Sequence, residues 1–386
     1  MNLVIKKILT LFIMCLCLFF LYGCWNYRDT NELSIVSGVA IDKNSETDEY
    51  ELTSEIIKVS QGKDIKLESQ LVEASGKTLF EAVRNMILLT GKKLYWSHAK
   101  VIIISEDVAK EGILPVMDFF MRDHELRITI SVIISKEETA KKILQQEGVL
   151  YDILSFSIDS MLREDKNQLK VFKTPLYQFI NDYLNEGVDG VLPTMKLVQN
   201  DGKETIKLSG LAAFKQDKLI SFLDNEETIP YRFLTNDIKQ GLYIVKIENG
   251  ETIYYESLDI YKSNTKLKPI YQNNKIIIKI NTTTNVSIAE YNANENFLTK
   301  EGREKLKSIA EKQLEKQLTD HIKSIQTNFG IDILGFGKLV KSESPDYWRK
   351  HGKEWNTIFK ELEVEINSEI IISDSAMMKD KLESNK

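Results

Sequence analysis

Apolar and polar positions along this chain change period several times. An apolar run from Ile8 to Tyr22 follows Lys6 and Lys7 and contains Thr10 as its one conventional polar residue. As a helix such a run rises only ~22 Å, short of the ~30 Å hydrocarbon core of a bilayer, so it predicts a signal-peptide core rather than a permanent span. Residues 34–42 and 49–60 then read as two strands around a polar turn at 43–48. Leu79, Ala82, Val83, Met86 and Leu89 recur at helical spacing and stop at Gly91, which predicts an amphipathic helix. Val101-Ile102-Ile103-Ile104 is apolar on both faces, as a strand buried in mid-sheet requires. A helix over 107–121, a strand over 126–135 and a short helix from Glu137 follow. Strands alternating with helices in this way predict a mixed sheet with helices packed on it.

Residues 150–187 read as helical, the stretch from Gly187 to Gly190 with Pro193 as a loop, and Asn200-Asp201-Gly202 as a turn. The division of the chain is expected here: a leader over 1–23, an N-terminal domain over 24–198, a C-terminal domain over 199–375 and a polar tail over 376–386. In the second domain a hairpin (208–214 and 219–223) precedes a helix over 227–240 and strands near 243–248, 251–261 and 275–289. Leu306, Ile309, Ala310, Leu314, Leu318, Ile322 and Ile325 then mark one buried stripe on a long helix over 300–327. A strand over 331–336, a helix opened by Ser344-Pro345 and a final strand over 362–372 complete an α+β, multi-domain reading.

With 28% charged residues and a mean hydropathy of −0.24, the composition is that of a folded protein and excludes a polytopic membrane protein. Lys and Arg number 51 against 57 Asp and Glu, so nucleic-acid binding through phosphate neutralisation has no support. Cys15 and Cys17 lie inside the apolar run, which leaves Cys24 as the one thiol beyond it and no disulfide framework. The run ends in Leu21-Tyr22-Gly23-Cys24, which resembles a lipobox whose Cys receives a diacylglycerol before cleavage; Tyr22 departs from the usual small residue. Loss of residues 1–23 removes two lysines and no acid, taking the formal charge from −6 to −8. So acidic a body is repelled by anionic lipid, and attachment must come from the acyl chains.

Catalytic patterns are missing. His98, His124, His321 and His351 form no two-histidine metal spacing, no phosphate-binding loop or nucleophile elbow occurs, and Gly335-Phe336-Gly337 lacks the third glycine of a dinucleotide fingerprint. No metal, cofactor or enzymatic activity is expected. Two clusters remain. Trp96 and His98, in the stretch from Tyr95 to Lys100, and Arg122, Glu125 and Arg127 read either as a partner or ligand surface at one sheet edge or as a polar network holding strand ends. Tyr347, Trp348, His351, Trp355 and Phe359 form an aromatic stripe; such stripes more often belong to a core, and exposed they make a hot-spot for another protein.

Several stretches resemble one known family, the Ger(x)C spore-germination lipoproteins. They are Gly23-Cys24-Trp25-Asn26-Tyr27-Arg28-Asp29 with Glu32-Leu33 and the segment from Val36 to Asp42; Ser97-His98-Ala99-Lys100; and Arg122-Asp123 with Glu125 and Arg127. The segments from Gly210 to Lys215 and from Asp332 to Gly337, the latter followed by Pro345 and Trp348, carry it onward. The resemblance implies α+β domains of unusual topology and no catalysis. It further implies a germinant-receptor subunit anchored through diacylglyceryl-Cys24 on the outer face of the inner spore membrane, with a polytopic A subunit and a transporter-like B subunit as partners. A rival reading is a solute-binding lipoprotein that captures the germinant or feeds a transporter, with Tyr95, Trp96 and the Arg122–Arg127 cluster as candidate ligand contacts.

Overall fold

In the computed structural model, which describes residues 3–20, 33–60, 66–272, 275–290, 297 and 299–373, the N-terminal apolar run forms α1 (Leu3–Phe20). Eighteen residues rise ~27 Å, and no helix among the described residues is long and apolar enough to cross a membrane. Cys24 and the tail over 376–386 lie outside the described residues.

The first module is built from β1 (Leu33–Lys43), β2 (Tyr50–Ser60), β3 (Lys66–Gly76), α2 (Leu79–Thr90), β4 (Lys93–Tyr95) and β5 (Val101–Ile104). It continues through α3 (Glu106–Glu111), α4 (Leu114–Arg122), β6 (Ser131–Ser135), α5 (Ala140–Leu144), α6 (Leu154–Arg163), α7 (Leu176–Leu184), β7 (Val191–Asn200), β8 (Lys203–Lys215) and β9 (Lys218–Leu223). These strands make one nine-stranded sheet, ordered β3-β2-β1-β5-β6-β7-β8-β9 with β4 also on β1. The centre, β1-β5-β6-β7, is parallel, and an antiparallel hairpin closes each side.

The apolar run of β5 follows from this position. Ile102 and Ile104 join the core under α2, α3, α4 and α7, while Val101 and Ile103 join the core under α5 and α6. Successive side chains of a strand point to opposite faces, so a strand covered on both faces cannot alternate with polar residues.

The second module comprises α8 (Asn225–Leu234), β10 (Gly241–Asn249), β11 (Thr252–Gln272), β12 (Lys275–Glu290), α9 (Lys300–Ser324), α10 (Phe336–Glu343), α11 (Pro345–His351), α12 (Trp355–Lys360) and β13 (Glu363–Ile372). Its four strands pair in the order β10-β11-β12-β13. Burial alternates along β10, as it must in a sheet with one wet face, and Leu306, Ala310, Leu314, Leu318 and Ile322 of α9 pack on the other. The same helix serves both outer strands. Glu315 and Glu311 accept the amides of Ser368 and Ile370 on β13 at 2.9 Å, and Gln313 bonds Lys246 N and Ile244 O on β10 at 2.8 Å. Backbone groups that would otherwise invite another chain are thereby occupied.

Several local expectations change. The helix expected over 107–121 is two helices, broken at Gly112, whose φ of +134° and a carboxylate oxygen of Asp217 only 2.6 Å from any added Cβ leave room for glycine alone. The 150–187 stretch holds α6 and α7 with a break at 167–175, and α8 ends at Leu234, short of 240. Pro193 stands inside β7, at a register shift against β8, the kind of irregularity at which a strand tolerates proline. Residues 331–336 form no strand, because the Asp332 carboxylate takes the amides of Leu334 and Phe336 and turns the chain into α10. Three strands lie outside the elements the sequence predicts: β3, an outermost strand rich in polar residues, β4, with three residues, and β7, where Pro193 reads as loop. The division at 198/199 falls within β7, whose pairing with β8 carries the first sheet on to Leu223.

Candidate functional site

The first cluster lies where α2 and α4 stand over the β1-β4 end of the sheet. A groove of about 670 Å³ opens there, lined by Phe80, Val83, Arg84, Trp96, Phe119 and Arg122 among others. Trp96 is its buried floor, edge-on to Phe120 with ring centroids 5.6 Å apart. Arg122 is exposed on its rim, its Nε donating to Asp118 at 2.7 Å. Burial thus makes Trp96 a packing residue that shows one face to the groove.

Glu125 holds the neighbouring loop. Its carboxylate pairs with Lys93 of β4 at 2.5 Å, its carbonyl accepts the Ser97 hydroxyl at 2.9 Å, and its amide donates to Asp123 at 2.8 Å. The second carboxylate oxygen, Oε2, is buried without a hydrogen-bond partner among the described residues. His98, its ring 6.1 Å from Tyr95, and Arg127 are exposed; neither lines the groove, nor does Glu125. The residues singled out in sequence therefore divide, with Trp96 and Arg122 in the groove wall, Glu125 in a network holding β4, and His98 and Arg127 on the surface.

The aromatic stripe is turned inward. Trp348 and Trp355 are 8% and 3% exposed, with ring centroids 5.5 Å apart, and both belong to the core that runs from the second module into Leu211 and Leu223 of the first. Their indole N–H groups are satisfied: Trp355 Nε1 donates to Asp332 Oδ2 at 2.9 Å and Trp348 Nε1 to Glu186 Oε2 at 3.3 Å. What they pack around is the joint between the modules. Asp189, on the loop before β7, donates its amide to the Asp332 carbonyl at 2.8 Å and accepts the Asp332 amide on Oδ2 at 3.1 Å. Gly187 accepts the Lys338 amide at 2.8 Å with φ of +81°, and an added Cβ would sit 2.5 Å from the Gly337 carbonyl carbon. Burial pushes the Asp332 carboxyl up to about 6, against the Gly337, Phe336 and Trp355 donors that pull it down. Burial raises Asp189 as well.

Two further carboxylates that sequence patterns did not flag serve helix starts. Glu55, buried under α6, accepts the amides of Leu154 at 2.8 Å and Ser155 at 3.0 Å and the Ser37 hydroxyl at 2.7 Å. Asp42 takes the amides of Ala140 and Lys141 at 2.6 and 3.0 Å. Each supplies a helix N-terminus with the acceptor it lacks internally. Asp42 stands in a strand whose preceding residues are apolar or small, a hint the sequence gives; Glu55, with Glu51 and Lys58 in the same strand, gives none.

Taken as a class, this is a two-module α+β protein: a mixed sheet covered on both faces, joined through the half-buried Asp189 and the buried Asp332 to a smaller sheet served by one long helix. Two family descriptions match it, "Spore germination protein N-terminal domain" over residues 26–197 and "Spore germination B3/GerAC like, C-terminal" over residues 209–376. The chain belongs to this spore-germination family, the Ger(x)C proteins. It is 27% identical to spore germination protein B3 of Bacillus subtilis (strain 168) over 358 residues, covering 88% of this chain and 91% of that one. Spore germination protein KC of the same organism is 24% identical over 393 residues, covering 95% and 96%. The crystal structure of the GerBC protein shares the fold, with a TM-score of 0.55 at 21% identity over 87% of this chain and 96% of that one.

Proposed function

We propose that this protein is a non-catalytic subunit of a spore nutrient germinant receptor, needed for receptor assembly or signalling. It is held on the outer face of the inner spore membrane by a diacylglyceryl group on Cys24, beside integral-membrane A and B subunits. The observation that carries this reading is the match of the chain, in order, to the N- and C-terminal halves of one spore-germination family over residues 26–197 and 209–376, beginning two residues past Cys24. The physical role of the anchor is concentration: a tether confines a water-soluble body to the plane of its partners and favours assembly without adding any contact. Two acyl chains suffice for stable attachment.

Replacing Cys24 by Ala tests this. The variant is expected in the soluble fraction with its fold intact and with germination strongly slowed. Normal germination at normal protein level, from a chain that has left the membrane, refutes the tethering role. The groove over Trp96 supports a second reading, a solute-binding lipoprotein, since about 670 Å³ lies within the range of small-molecule sites. Calorimetry with amino acids and sugars separates the two, because micromolar heat at this groove favours capture of the germinant and its absence favours the assembly subunit.

A further inference from the structure

The edge of the first sheet at which β1 begins carries exposed apolar and basic side chains beside Asp118 and Asp123. β4 runs parallel to β1 with Lys93 level with Leu33, so the C-terminal end of α2 and the Gly91 turn lie at the point where the chain enters the fold. The loop after α4 is fixed to the same edge by the Lys93–Glu125 ion pair and the Ser97 hydrogen bond. Large apolar side chains stand in water here: Leu88 is 83% exposed, Leu89 67%, Ile128 49% and Met121 40%. Lys92 and Arg127 stand among them, exposed and without an ion-pair partner among the described residues.

Eight residues, 25–32, separate Cys24 from Leu33, and the nine steps between those two reach only ~32 Å fully extended. An anchored chain can therefore bring this edge onto the bilayer, while ten residues of β7 carry the far end of the same sheet ~30 Å further along the strands, so the surface chemistry of the edge decides which end faces the lipid. We infer that this edge lies on an anionic lipid surface, with Leu88, Leu89, Met121 and Ile128 in the interface and Lys92 and Arg127 on headgroup phosphates. Apolar side chains beside Lys and Arg are the composition that binds at the headgroup boundary. The inference rests on acylation of Cys24. It adds an orientation to it: the tether sets the distance, and the basic, apolar edge selects which side of an otherwise repelled body turns toward the membrane.

The mature chain allows a direct test, because Cys15 and Cys17 leave with the leader and Cys24 is lipidated, so an introduced Cys is the sole free thiol. The acylated chain is reconstituted in phosphatidylcholine vesicles, with and without phosphatidylglycerol. An environment-sensitive fluorophore is placed at Leu89→Cys, at Ile128→Cys, or at Lys203→Cys on the opposite end of the sheet. With brominated lipid present, quenching at 89 and 128 is expected to exceed that at 203 by roughly threefold or more on anionic vesicles. It should fall on neutral vesicles and, on the order of tenfold in docking equilibrium, in the Lys92→Glu/Arg127→Glu variant. Equal quenching at all three positions overturns the inference. So does a result in which 89 and 128 stay unquenched yet crosslink to a co-reconstituted integral-membrane subunit, since the edge would then be a protein interface. Mass spectrometry of the same sample separates the readings: an acylated chain with unquenched labels defeats the orientation alone, and an unacylated Cys24 defeats the anchor and the orientation with it.

Discussion

Replacing Asp332 by Asn tests how the joint between the modules is held. In the wild type, Oδ1 accepts the amides of Leu334 and Phe336 at 3.2 Å each, and Oδ2 accepts Gly337 N at 2.7 Å and Trp355 Nε1 at 2.9 Å. An amide has one acceptor oxygen. Turned toward the shorter pair, it presents its NH2 to the other two donors, and two orphaned buried N–H groups cost about 2–6 kcal/mol. Against this, a carboxyl held at about 6 rather than 3.8 costs the folded state about 3 kcal/mol at pH values well above 6, a cost that Asn avoids. The net change near pH 7.5 therefore lies between a gain of about 1 and a loss of about 3 kcal/mol. The pH dependence is more telling. Because burial raises this acid, its charged form opposes folding: stability contributed by the protonated group is present at low pH and lost as pH rises from the unfolded value through about 6. Wild type therefore gains about 2 kcal/mol on this account between pH 7.5 and 4.5, and the variant does not. Urea unfolding of both proteins across that range, followed by the fluorescence of Trp355 in the same pocket, measures the gap. A gap that stays constant with pH refutes the reasoning.

Three more outcomes follow from the packing. Gly187→Ala should loosen the joint by about 2 kcal/mol or more, since φ of +81° and the Gly337 contact both exclude a Cβ; faster proteolysis of the loop before β7 would report it, and an unchanged cleavage rate would contradict it. Glu55→Ala should cost about 2–4 kcal/mol and selectively raise hydrogen exchange at Leu154 and Ser155, whose amides lose their acceptor. Arg232 is buried and donates to the carbonyls of Gln168, Val171 and Asp237, so Arg232→Met should lower stability by about 3–5 kcal/mol in thermal unfolding; a loss under 1 kcal/mol would show that those carbonyls find water.

The features legible in the sequence share one property: their cause lies within a few residues. The buried stripe of α9 spans steps of three and four, and Leu306, Ala310, Leu314, Leu318 and Ile322 all lie on the sheet. The run Val101–Ile104 announces a strand covered on both faces, and it stands in the parallel centre. The Pro345 helix start is also local, although Ser344 makes no capping hydrogen bond with its side chain. Of the candidate surface residues, Trp96 and Arg122 wall the groove, whereas Trp348 and Trp355, offered as a hot-spot if exposed, are packed in the core.

What sequence patterns could not reach depends on partners distant in the chain. Asp332 reads as one polar residue in an apolar stretch, and only its hydrogen bond to Asp189, 143 residues away, together with the Trp355 indole shows it to be the joint of the two modules. Glu55 reads as a solvent-facing strand acid until α6 is laid over it, 99 residues on. Nor does periodicity show that Leu89, which continues the helical stripe of α2, faces water beside Lys92 at the edge where β1 begins. Periodicity, breakers and the Cys24 motif act through neighbours along the backbone, so the sequence by itself determined the α+β class, the long helix and the family. Pairing across a sheet and burial of charge bring together residues with no sequence relation, so only the tertiary structure decided where the modules join and which surface each side chain reaches.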